Sequence, residues 1–244
     1  MCTNYTPATP KHLVEMKALG LAAAPPDAWP SEVYPGMSAP VVVASPDGAP
    51  RAEVARFGLI PRWVKDGQQA QKVSRGTLNA RSETVASKPS FRAPWRERRF
   101  ALAPMLDFFE PCWEDAHLVG HRSVRWRIAR ADAAPFCVAA LHERWTDPAT
   151  GEIVPSFSLL TINADGHELL GRMHRPGDEK RMLVVLPSEH WADWLRADHT
   201  QALAMLQRTP PGLLVGEPAP RETPSRPAPT PPPAEPPDPQ RGLF

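Results

Sequence analysis

The alternation of hydrophobic and polar residues along the chain predicts mainly β-strands. β-Branched and aromatic residues cluster in short runs that are separated by turn residues, which is the pattern of strands. The predicted strands are residues 40–44, 53–60, 100–109, 124–130, 136–141, 157–162 and 182–186. The first two are separated by the sequence Ser-Pro-Asp-Gly at 45–48, which is typical of a tight turn.

Two segments have the spacing of amphipathic helices instead. The first, 9–20, has a threonine cap, a proline in its first turn, an apolar stripe and a closing glycine: Thr9, Pro10, Leu13, Met16, Leu19 and Gly20. The second, 188–197, begins at Ser188 as the expected cap and turns Trp191 and Trp194 inward. Many strands with few helices predict an α+β fold, in which helices flank a curled, mostly antiparallel, barrel-like sheet.

The amino-acid composition changes after Gln207. From residue 209 to residue 239 nearly every second residue is proline, and large apolar side chains are rare. Such a segment cannot bury enough apolar surface to fold by itself. We therefore predict a folded domain over residues 1–207 and an extended, disordered, proline-rich tail over residues 208–244.

Charge and cysteine content exclude several classes of protein. The formal net charge of +1 gives no overall attraction to nucleic acid or to membranes, so such binding needs a local patch. The three cysteines are odd in number and lack Cys-x-x-Cys spacing, which argues against a disulfide framework and against a zinc site. We predict no metal and no cofactor.

The expected location is the cytoplasm, with reduced thiols. The apolar run at 13–25 is interrupted by Glu15 and Lys17 before it reaches the length of a signal peptide core. No stretch approaches the ~20 apolar residues of a membrane-spanning helix. We therefore expect no membrane association.

Cys2 follows Met1 directly. Removal of Met1, which is usual before a small second residue, would leave a free α-amine and a thiol on adjacent carbons. Such a 1,2-aminothiol differs chemically from any internal cysteine, because two nucleophiles can attack the same carbon. Cys112 and Cys137 lie in apolar strand-like segments, and we expect them to be core residues.

A dense polar run, "LNARSET", occupies residues 78–84. Asn79 and Arg81 stand directly after a hydrophobic entry, and together with their neighbours they offer more hydrogen-bonding capacity than a simple surface turn needs. The unusual segment "FGLIPRW" precedes it at 57–63 and ends in Trp63. These two segments are candidates for a binding site.

A basic cluster follows at Trp95, Arg96, Glu97, Arg98 and Arg99. Basic residues mixed with an aromatic residue suit phosphate contacts combined with base stacking. The alternative is a solvated face in which Glu97 pairs locally, and charge alone favours this alternative. Both interpretations remain open at this point.

Two titratable residues are candidates for proton transfer. Glu110 stands at the end of an apolar strand, where Phe108, Phe109 and Trp113 could desolvate it and raise its pKa. A carboxylate at a strand end is also often only a surface residue or a helix cap. His174 lies in a loop before a buried strand, and a single loop histidine is more often structural than catalytic.

Taken together, these segments resemble the SRAP family, the SOS-response-associated peptidase-like, abasic-site processing proteins. The resemblance covers residues 2 to about 200 and rests on motifs in the family's order. These are Cys2, "GLIPRW" at 58–63, "NARSET" at 79–84, "DFFEP" at 107–111, a histidine-containing loop that ends in Arg181-Met182, and "LPSEHWADWL" at 186–195.

The resemblance implies covalent chemistry with DNA: the amine and thiol of Cys2 capture the aldehyde of an abasic site in single-stranded DNA. It implies that Asn79 hydrogen-bonds at the crosslink, that Arg81 holds a phosphate, that Glu110 shuttles protons and that His174 acts as acid or base. Further contacts with DNA are expected from Trp63 and Pro35, as wedges against flanking bases, and from Arg96, Arg98 and Arg99.

This chain departs from the family pattern at three places, one of which is "VYPGMSAP" at 33–40, where the family usually has Arg-Tyr-Asn-x-Ala-Pro. The usual Cys-Gly-Arg start is Cys2-Thr3-Asn4 here, so a glycine and a positive charge are replaced. The loop "HRPGDEKRM" contains several residues between the histidine and its Arg-Met pair. His167 is therefore a rival to His174 as the functional histidine.

The last five residues, "QRGLF", form a second motif. They resemble the short peptides with which bacterial replication and repair proteins dock into the sliding clamp. Two adjacent apolar anchors on a long linker can enter a preformed pocket. Gln240, Leu243 and Phe244 are the predicted contacts, and an arbitrary disordered terminus is the alternative.

Three hypotheses on function follow. The leading one is a protein that crosslinks to abasic sites through Cys2, with lyase activity through the same imine and removal of its own Met1. The first rival is a cysteine peptidase or hydrolase that uses Cys2, His174 and Glu110. The second rival is a non-catalytic module that binds single-stranded DNA.

Overall fold

The computed structural model describes residues 2–26, 28–114 and 123–221. In chain order, the strands are β1 (Tyr5–Pro7), β2 (Ser38–Ala44), β3 (Pro50–Phe57), β4 (Asn79–Arg81), β5 (Phe100–Cys112), β6 (Val124–Arg130), β7 (Phe136–Thr146), β8 (Ile153–Asn163), β9 (Arg181–Leu183), β10 (Val185–Leu186) and β11 (Leu214–Pro218). The helices are α1 (Pro10–Glu15), α2 (Gly67–Ser74), α3 (Arg92–Arg96), α4 (Trp191–Arg196) and α5 (His199–Met205).

The strands curl into a closed barrel. Neighbours pair in the order β7, β8, β3, β2 and β5, and β5 pairs again with β7 to complete the ring. The pairing of β3 with β8 is parallel, and the other pairings in the ring are antiparallel. The predicted fold, a curled and mostly antiparallel sheet flanked by helices, is therefore confirmed.

The remaining strands extend the barrel and place the candidate site. β1 pairs with β5, and β6 joins the other end of β5. β4 runs parallel to β8, which also pairs with β9. Because β5 and β8 carry partners beyond the ring, the chain's first residues and the polar run at 79–84 lie against the same barrel.

Aromatic residues fill the barrel core. Phe57 stacks on Phe157 with ring centroids 5.3 Å apart, and Tyr5 packs edge-on against Phe57 at 5.5 Å. All three are fully buried. Burial of such a side chain contributes roughly 1.5–3 kcal/mol, so the packing of Tyr5 on Phe57 anchors β1 to the barrel.

The predicted helix at 9–20 is confirmed, and it continues as a 3-10 turn, Lys17–Leu19. The Thr9 hydroxyl accepts the backbone N–H of His12, and Gly20 closes the segment with φ of 64°. The predicted apolar stripe is buried: Leu13, Met16 and Leu19.

The second predicted helix begins later than expected. Ser188–His190 form a 3-10 turn, and α4 begins at Trp191. Ser188 therefore does not cap the helix; its hydroxyl instead donates to the Glu189 carboxylate. The predicted inward orientation of the tryptophans is confirmed, since both are buried and the Trp194 indole N–H donates to the Ala101 carbonyl at 2.8 Å.

Several strand boundaries also differ from the prediction: β2, β5, β7 and β8 are longer than predicted, β3 is shifted and one predicted strand is divided. β3 ends at Phe57 because Gly58 adopts φ of 110°, and a Cβ at that position would collide with the Ser74 carbonyl of α2. The predicted strand at 182–186 is divided into β9 and β10, which pair with different neighbours.

Ordered structure also extends beyond the predicted boundary at residue 207. β11 pairs antiparallel with β6 from Leu214 to Pro218, and Leu214 is buried. An added strand needs backbone hydrogen bonds and few apolar side chains, so the proline-rich composition concealed it. The part of the predicted tail from 222 to 244 lies outside the described residues.

Candidate functional site

Cys2 lies at the edge of the barrel beside β5. Asn4 accepts the backbone N–H of Phe109 at 3.0 Å, and β1 then pairs with β5 in register Tyr5 with Phe108. Cys2 is fully buried, and its thiol donates to the Asn4 carbonyl at 3.4 Å. The start of the described chain is thus held beside Glu110, the residue that follows Phe109.

Asn79 connects the polar run at 79–84 to Cys2. It is the first residue of β4, and its side-chain amide donates to the Cys2 carbonyl at 2.7 Å. The Asn79 Oδ1 atom is buried without a hydrogen-bond partner in the described part of the chain. The amide therefore positions the Cys2 backbone and keeps an acceptor available beside it.

Glu110 and His174 form a buried pair. The His174 Nε2 and Glu110 Oε2 atoms are 2.9 Å apart, and the side chains are 9% and 2% exposed. β5 supplies Glu110, and the backbone N–H of His174 donates to the Pro111 carbonyl at 2.7 Å. His174 has φ of 65°, a left-handed conformation that is uncommon for residues other than glycine and is typical of constrained functional positions.

The environment of Cys2 keeps its thiol protonated. Burial, together with the negative charge of Glu110, raises the pKa of Cys2 to about 12. The hydrogen bond to the Asn4 backbone opposes this shift. At neutral pH the thiol must therefore transfer its proton to a neighbour when the sulfur attacks.

His167, the rival histidine, has a different role. Its Nδ1 atom accepts the backbone N–H groups of Leu169 and Leu170, at 3.2 and 3.1 Å. This arrangement closes the turn before the next 3-10 segment. The structure brings His174, and not His167, into contact with Glu110.

Arg81 lies two residues beyond Asn79 on the same strand face, and it is exposed. It forms an ion pair with Glu179, which also contacts Arg181. Arg181 is buried and binds both oxygens of Glu83 at 2.8 and 3.0 Å. These ion pairs tie β4 to the histidine-containing loop that precedes β9.

Arg125 was not predicted from the sequence. Its guanidinium stacks on the Phe109 ring at 3.3 Å and donates to the Asn4 side chain at 2.8 Å. It also pairs with Glu32. A pocket of about 230 Å³ lies between Arg125, Asn4 and Glu110 and reaches the site from the surface. The alternating arginines of β6 were the available signal in the sequence.

The predicted DNA contacts are distributed over the surface. Trp63 is 48% exposed, and its indole N–H donates to the Pro89 carbonyl. Pro35 is exposed in a turn whose next residue, Gly36, bonds to the Phe57 carbonyl.

The basic cluster at residues 95–99 is partly paired. Arg99 binds Glu97 and Glu143, and the exposed Arg96 lies 3.8 Å from Glu97. Arg98 is exposed and forms no salt bridge within the described part of the chain. Trp95 is buried against Phe100 and His199, so the stacking interpretation is wrong for this tryptophan.

The described residues include neither a helix long and apolar enough to cross a membrane nor a group of histidine, cysteine and carboxylate side chains that could hold a metal ion. The predicted clamp contacts, Gln240, Leu243 and Phe244, lie outside the described residues.

The fold and site define a class of protein: a small mixed β-barrel with a buried cysteine, an asparagine on its carbonyl and a glutamate–histidine pair beside its thiol. The family model for SOS response associated peptidase (SRAP) matches residues 1–218. The chain belongs to this family.

Individual relatives agree with this membership. The chain is 32% identical over 145 residues to the abasic site processing protein YoaM of Bacillus subtilis, a match that covers 59% of this chain and 56% of that one. It is 23% identical over 181 residues to the abasic site processing protein HMCES of Pongo abelii, which covers 63% of this chain and 48% of that one. The chain thus spans about half the length of these relatives.

Solved structures share the fold. A protein of Bordetella bronchiseptica has a TM-score of 0.78 and 30% identity, covering 89% of this chain and 99% of that chain. A protein of Bacteroides thetaiotaomicron has a TM-score of 0.71 at 23% identity, covering 88% and 90%. The second likeness is evidence for the fold alone.

Proposed function

We propose that this protein processes abasic sites in single-stranded DNA by forming a covalent adduct through Cys2. The observation that carries the proposal is the constellation around Cys2: the Asn79 amide on its carbonyl and the Glu110–His174 pair beside its thiol. The names of the relatives supply the substrate class. The proposal requires Cys2 to be the first residue of the mature protein.

The chemistry proceeds in balanced steps. The neutral α-amine of Cys2, with a pKa of ~8, adds to the aldehyde carbon of the ring-opened sugar and gives a carbinolamine. Loss of one water molecule gives an imine. The sulfur then adds to the imine carbon, and the thiol proton reaches the nitrogen, which closes a five-membered thiazolidine. No oxidant or reductant takes part.

Each neighbouring residue has a role in these steps. Glu110 accepts and returns the protons of the amine, the carbinolamine hydroxyl and the thiol, because the raised pKa of Cys2 requires a proton acceptor. His174 shares the Glu110 proton through their hydrogen bond and serves as the acid or base that opens the sugar. Asn79 orients Cys2, and Arg81 holds a phosphate beside the lesion.

Two further activities belong to the proposal. From the imine, loss of a C2′ proton expels the 3′ phosphate, which is a lyase reaction that proceeds through the same intermediate. Removal of Met1 by the protein itself uses the same cysteine, glutamate and histidine, and the peptidase of the family name fits this reaction. Intact mass of the purified wild type and of Glu110→Gln tests it: only the wild type should lack Met1.

A crosslinking assay tests the main proposal. The protein is mixed with single-stranded DNA that carries one abasic site and is then denatured and separated on a gel. We expect a stable adduct from the wild type, and none from Cys2→Ala or from a form that retains Met1. Cys112→Ala is the matched control, because it removes a buried thiol that is not the proposed nucleophile.

The outcomes separate the proposal from its rivals. A peptidase would cleave peptides without forming an adduct, and a binding module would do neither. An adduct that persists in Cys2→Ala would refute the thiazolidine while leaving an imine with another amine. Capture of the wild-type adduct by borohydride, at the expense of the thiazolidine, would establish the imine as the intermediate.

The C-terminal "QRGLF" adds a partner to the proposal. A sliding clamp would hold the protein near replicating DNA through Gln240, Leu243 and Phe244. Pull-down of purified clamp by the full chain and by a chain that ends at Pro239 tests this contact. Equal binding by both chains would exclude it.

A further inference from the structure

A large open groove runs along the outer face of α2. It has a volume of about 1050 Å³ and is distinct from the pocket beside Glu110 and Arg125. Trp63, Lys65, Lys72 and Arg75 line it, together with glutamines of α2 and Ser90. An exposed tryptophan beside three cations is the combination that binds single-stranded nucleic acid, since bases stack on the ring and phosphates meet the cations.

The fold holds this groove in place. Asp66 caps α2 by accepting the backbone N–H of Gln69 at 2.7 Å. The apolar face of the helix packs on a small hydrophobic cluster that is separate from the barrel core: Ile60, Val64, Ala70, Val73, Trp145 and Val154. The polar face is therefore directed to solvent, and the Trp63 indole is fixed by its bond to Pro89.

The charges of the groove are unevenly distributed. In the described part of the chain, Lys65, Lys72 and Arg75 form no salt bridge, whereas Arg96 and Arg99 are paired with carboxylates. Asp66 and the nearby Asp147 lie at the N-terminal end of α2. The C-terminal end, with Lys72 and Arg75, is consequently the positive end.

The positive end leads directly to the site at Cys2. Arg75 precedes Asn79 by four residues, so their Cα atoms are at most about 14 Å apart. This span corresponds to about four nucleotides at the duplex spacing of ~3.4 Å per strand. Arg81 lies beyond Asn79 on the same strand, so the groove and Arg81 flank the asparagine that contacts Cys2.

We propose that the α2 groove is a second DNA-contact site, which binds the nucleotides on one flank of the lesion while Arg81 holds the other flank. The inference rests on the proposed function for the identity of the ligand. It adds a direction: DNA must extend from the lesion on the groove side to gain affinity. A role of Lys72 and Arg75 confined to stabilising the C-terminus of α2 would give no such directional effect.

The test measures binding with fluorescence anisotropy and single-stranded DNA that carries one reduced abasic site, which fixes the position of the lesion but has no aldehyde and forms no adduct. Three oligonucleotides share a central segment: a short one, one extended on its 5′ side and one extended on its 3′ side. The double variant Lys72→Gln/Arg75→Gln removes the positive end of the groove. Lys11→Gln/Lys17→Gln removes two charges from the segment around α1 and is the matched control.

We expect the wild type to bind one extended DNA more tightly than the short one, and the groove variant to lose most of this advantage. Because each phosphate contact contributes about 0.7 to the log–log salt slope for single strands, the slope on that DNA should fall by about 1.4. Trp63→Ala should weaken binding of the same DNA at least fivefold, because a base can no longer stack on the indole ring. The control should retain the wild-type advantage.

Three results would overturn the inference: no advantage of either extension, an equal loss on both extensions, or equal salt slopes for the groove variant and the control. Failure of the proposed function is detected separately, because it would abolish the adduct of the wild type with the short abasic DNA. Melting temperatures of both double variants show whether α2 is intact.

Discussion

Two buried carboxylates on neighbouring strands of the barrel have opposite surroundings. Glu110 on β5 is 2% exposed, and Glu143 on β7 is 1% exposed. If burial alone determined the chemistry of a carboxylate, these two side chains would behave alike. The partners differ: arginines bind Glu143, whereas a histidine binds Glu110.

Glu143 is bound by permanent charges. Arg99 donates to it at 2.6 Å and Arg62 at 3.0 Å, and both arginines also contact Glu97. A guanidinium does not release its proton at any ordinary pH. Glu143 is therefore held by charges that do not change with pH, and the network connects β7 to the segments that carry Arg62 and Arg99.

Glu110 is bound by a histidine instead. The His174 Nε2 atom lies 2.9 Å from the Glu110 Oε2 atom, and the charge of Glu110 acts on the Cys2 thiol. Unlike a guanidinium, an imidazole is a common proton donor and acceptor in catalysis. We therefore expect the carboxylate that contacts a histidine, and not the one bound by arginines, to serve proton transfer.

The largest expected effect is on adduct formation in Glu110→Gln. The amide keeps the shape but cannot accept a proton, so the rate of crosslinking should fall about 10²–10⁴-fold. Single-turnover gels with abasic single-stranded DNA measure the rate, and every variant is first treated with an aminopeptidase so that Cys2 is its first residue. Glu143→Gln is the matched variant. Its folded fraction should crosslink at a rate within about threefold of the wild type. Equal losses of crosslinking rate in both variants would contradict the distinction between the two carboxylates.

The second effect is on the free energy of unfolding, where Glu143→Gln should lose more than Glu110→Gln. Glu143→Gln leaves two arginines without their shared carboxylate, and removal of one member of a buried ion pair costs about 3–5 kcal/mol. Arg62 is 44% exposed and therefore partly solvated, which reduces the expected loss to about 2–4 kcal/mol. Urea unfolding measures it, and a smaller loss in Glu143→Gln than in Glu110→Gln would contradict the assignment.

This distinction could not be made from the sequence. The position of Glu110 in "DFFEP" marked it as a candidate, but Glu143 in β7 offered no comparable motif. The arginines that neutralise Glu143 come from positions 44 and 81 residues away, and Asn79 meets Cys2 over a separation of 77 residues. Such contacts depend on closure of the barrel, which local periodicity does not encode.

Local pattern was sufficient elsewhere. Strand alternation predicted β6 at its observed limits, and the capped helix at 9–20 was predicted by Thr9, Pro10 and Gly20. β11 was missed because its stability derives from pairing with β6 rather than from its own composition. The sequence therefore predicts elements that bury an apolar face of their own. It does not predict a strand that is stabilised mainly by pairing with another strand.

The third effect concerns the pH dependence of stability. His142 precedes Glu143, and burial, together with the charges of Arg99, Arg144 and Arg51, lowers its pKa to about 4. The unfolded chain has the ordinary value of 6.5 and binds the proton first as the pH falls. Stability should therefore decrease between about pH 6.5 and pH 4, by about 2–3 kcal/mol.

The measurement is urea unfolding of the wild type and His142→Gln across this range. Because glutamine does not titrate, the variant should lose less stability on acidification than the wild type. Equal pH dependence would mean that His142 is charged in the folded protein. The expected contrast between His142, which lies among arginines, and His174, which lies beside a carboxylate, would then be contradicted.

The smallest effect tests the thiol directly. Glu110→Gln removes a negative charge that raises the pKa of Cys2, so this pKa should fall and the thiolate fraction at pH 8 should rise. Peptide mass spectrometry after brief treatment with iodoacetamide measures alkylation at Cys2. The same substitution should thus slow adduct formation and speed alkylation of Cys2. A damaged fold would not have this selective effect, because the buried Cys112 and Cys137 would react faster as well. Faster alkylation at all three cysteines would contradict an electrostatic effect of Glu110 on Cys2. Faster alkylation at Cys2 alone would show that Glu110 controls the acidity of the thiol separately from its role in moving protons.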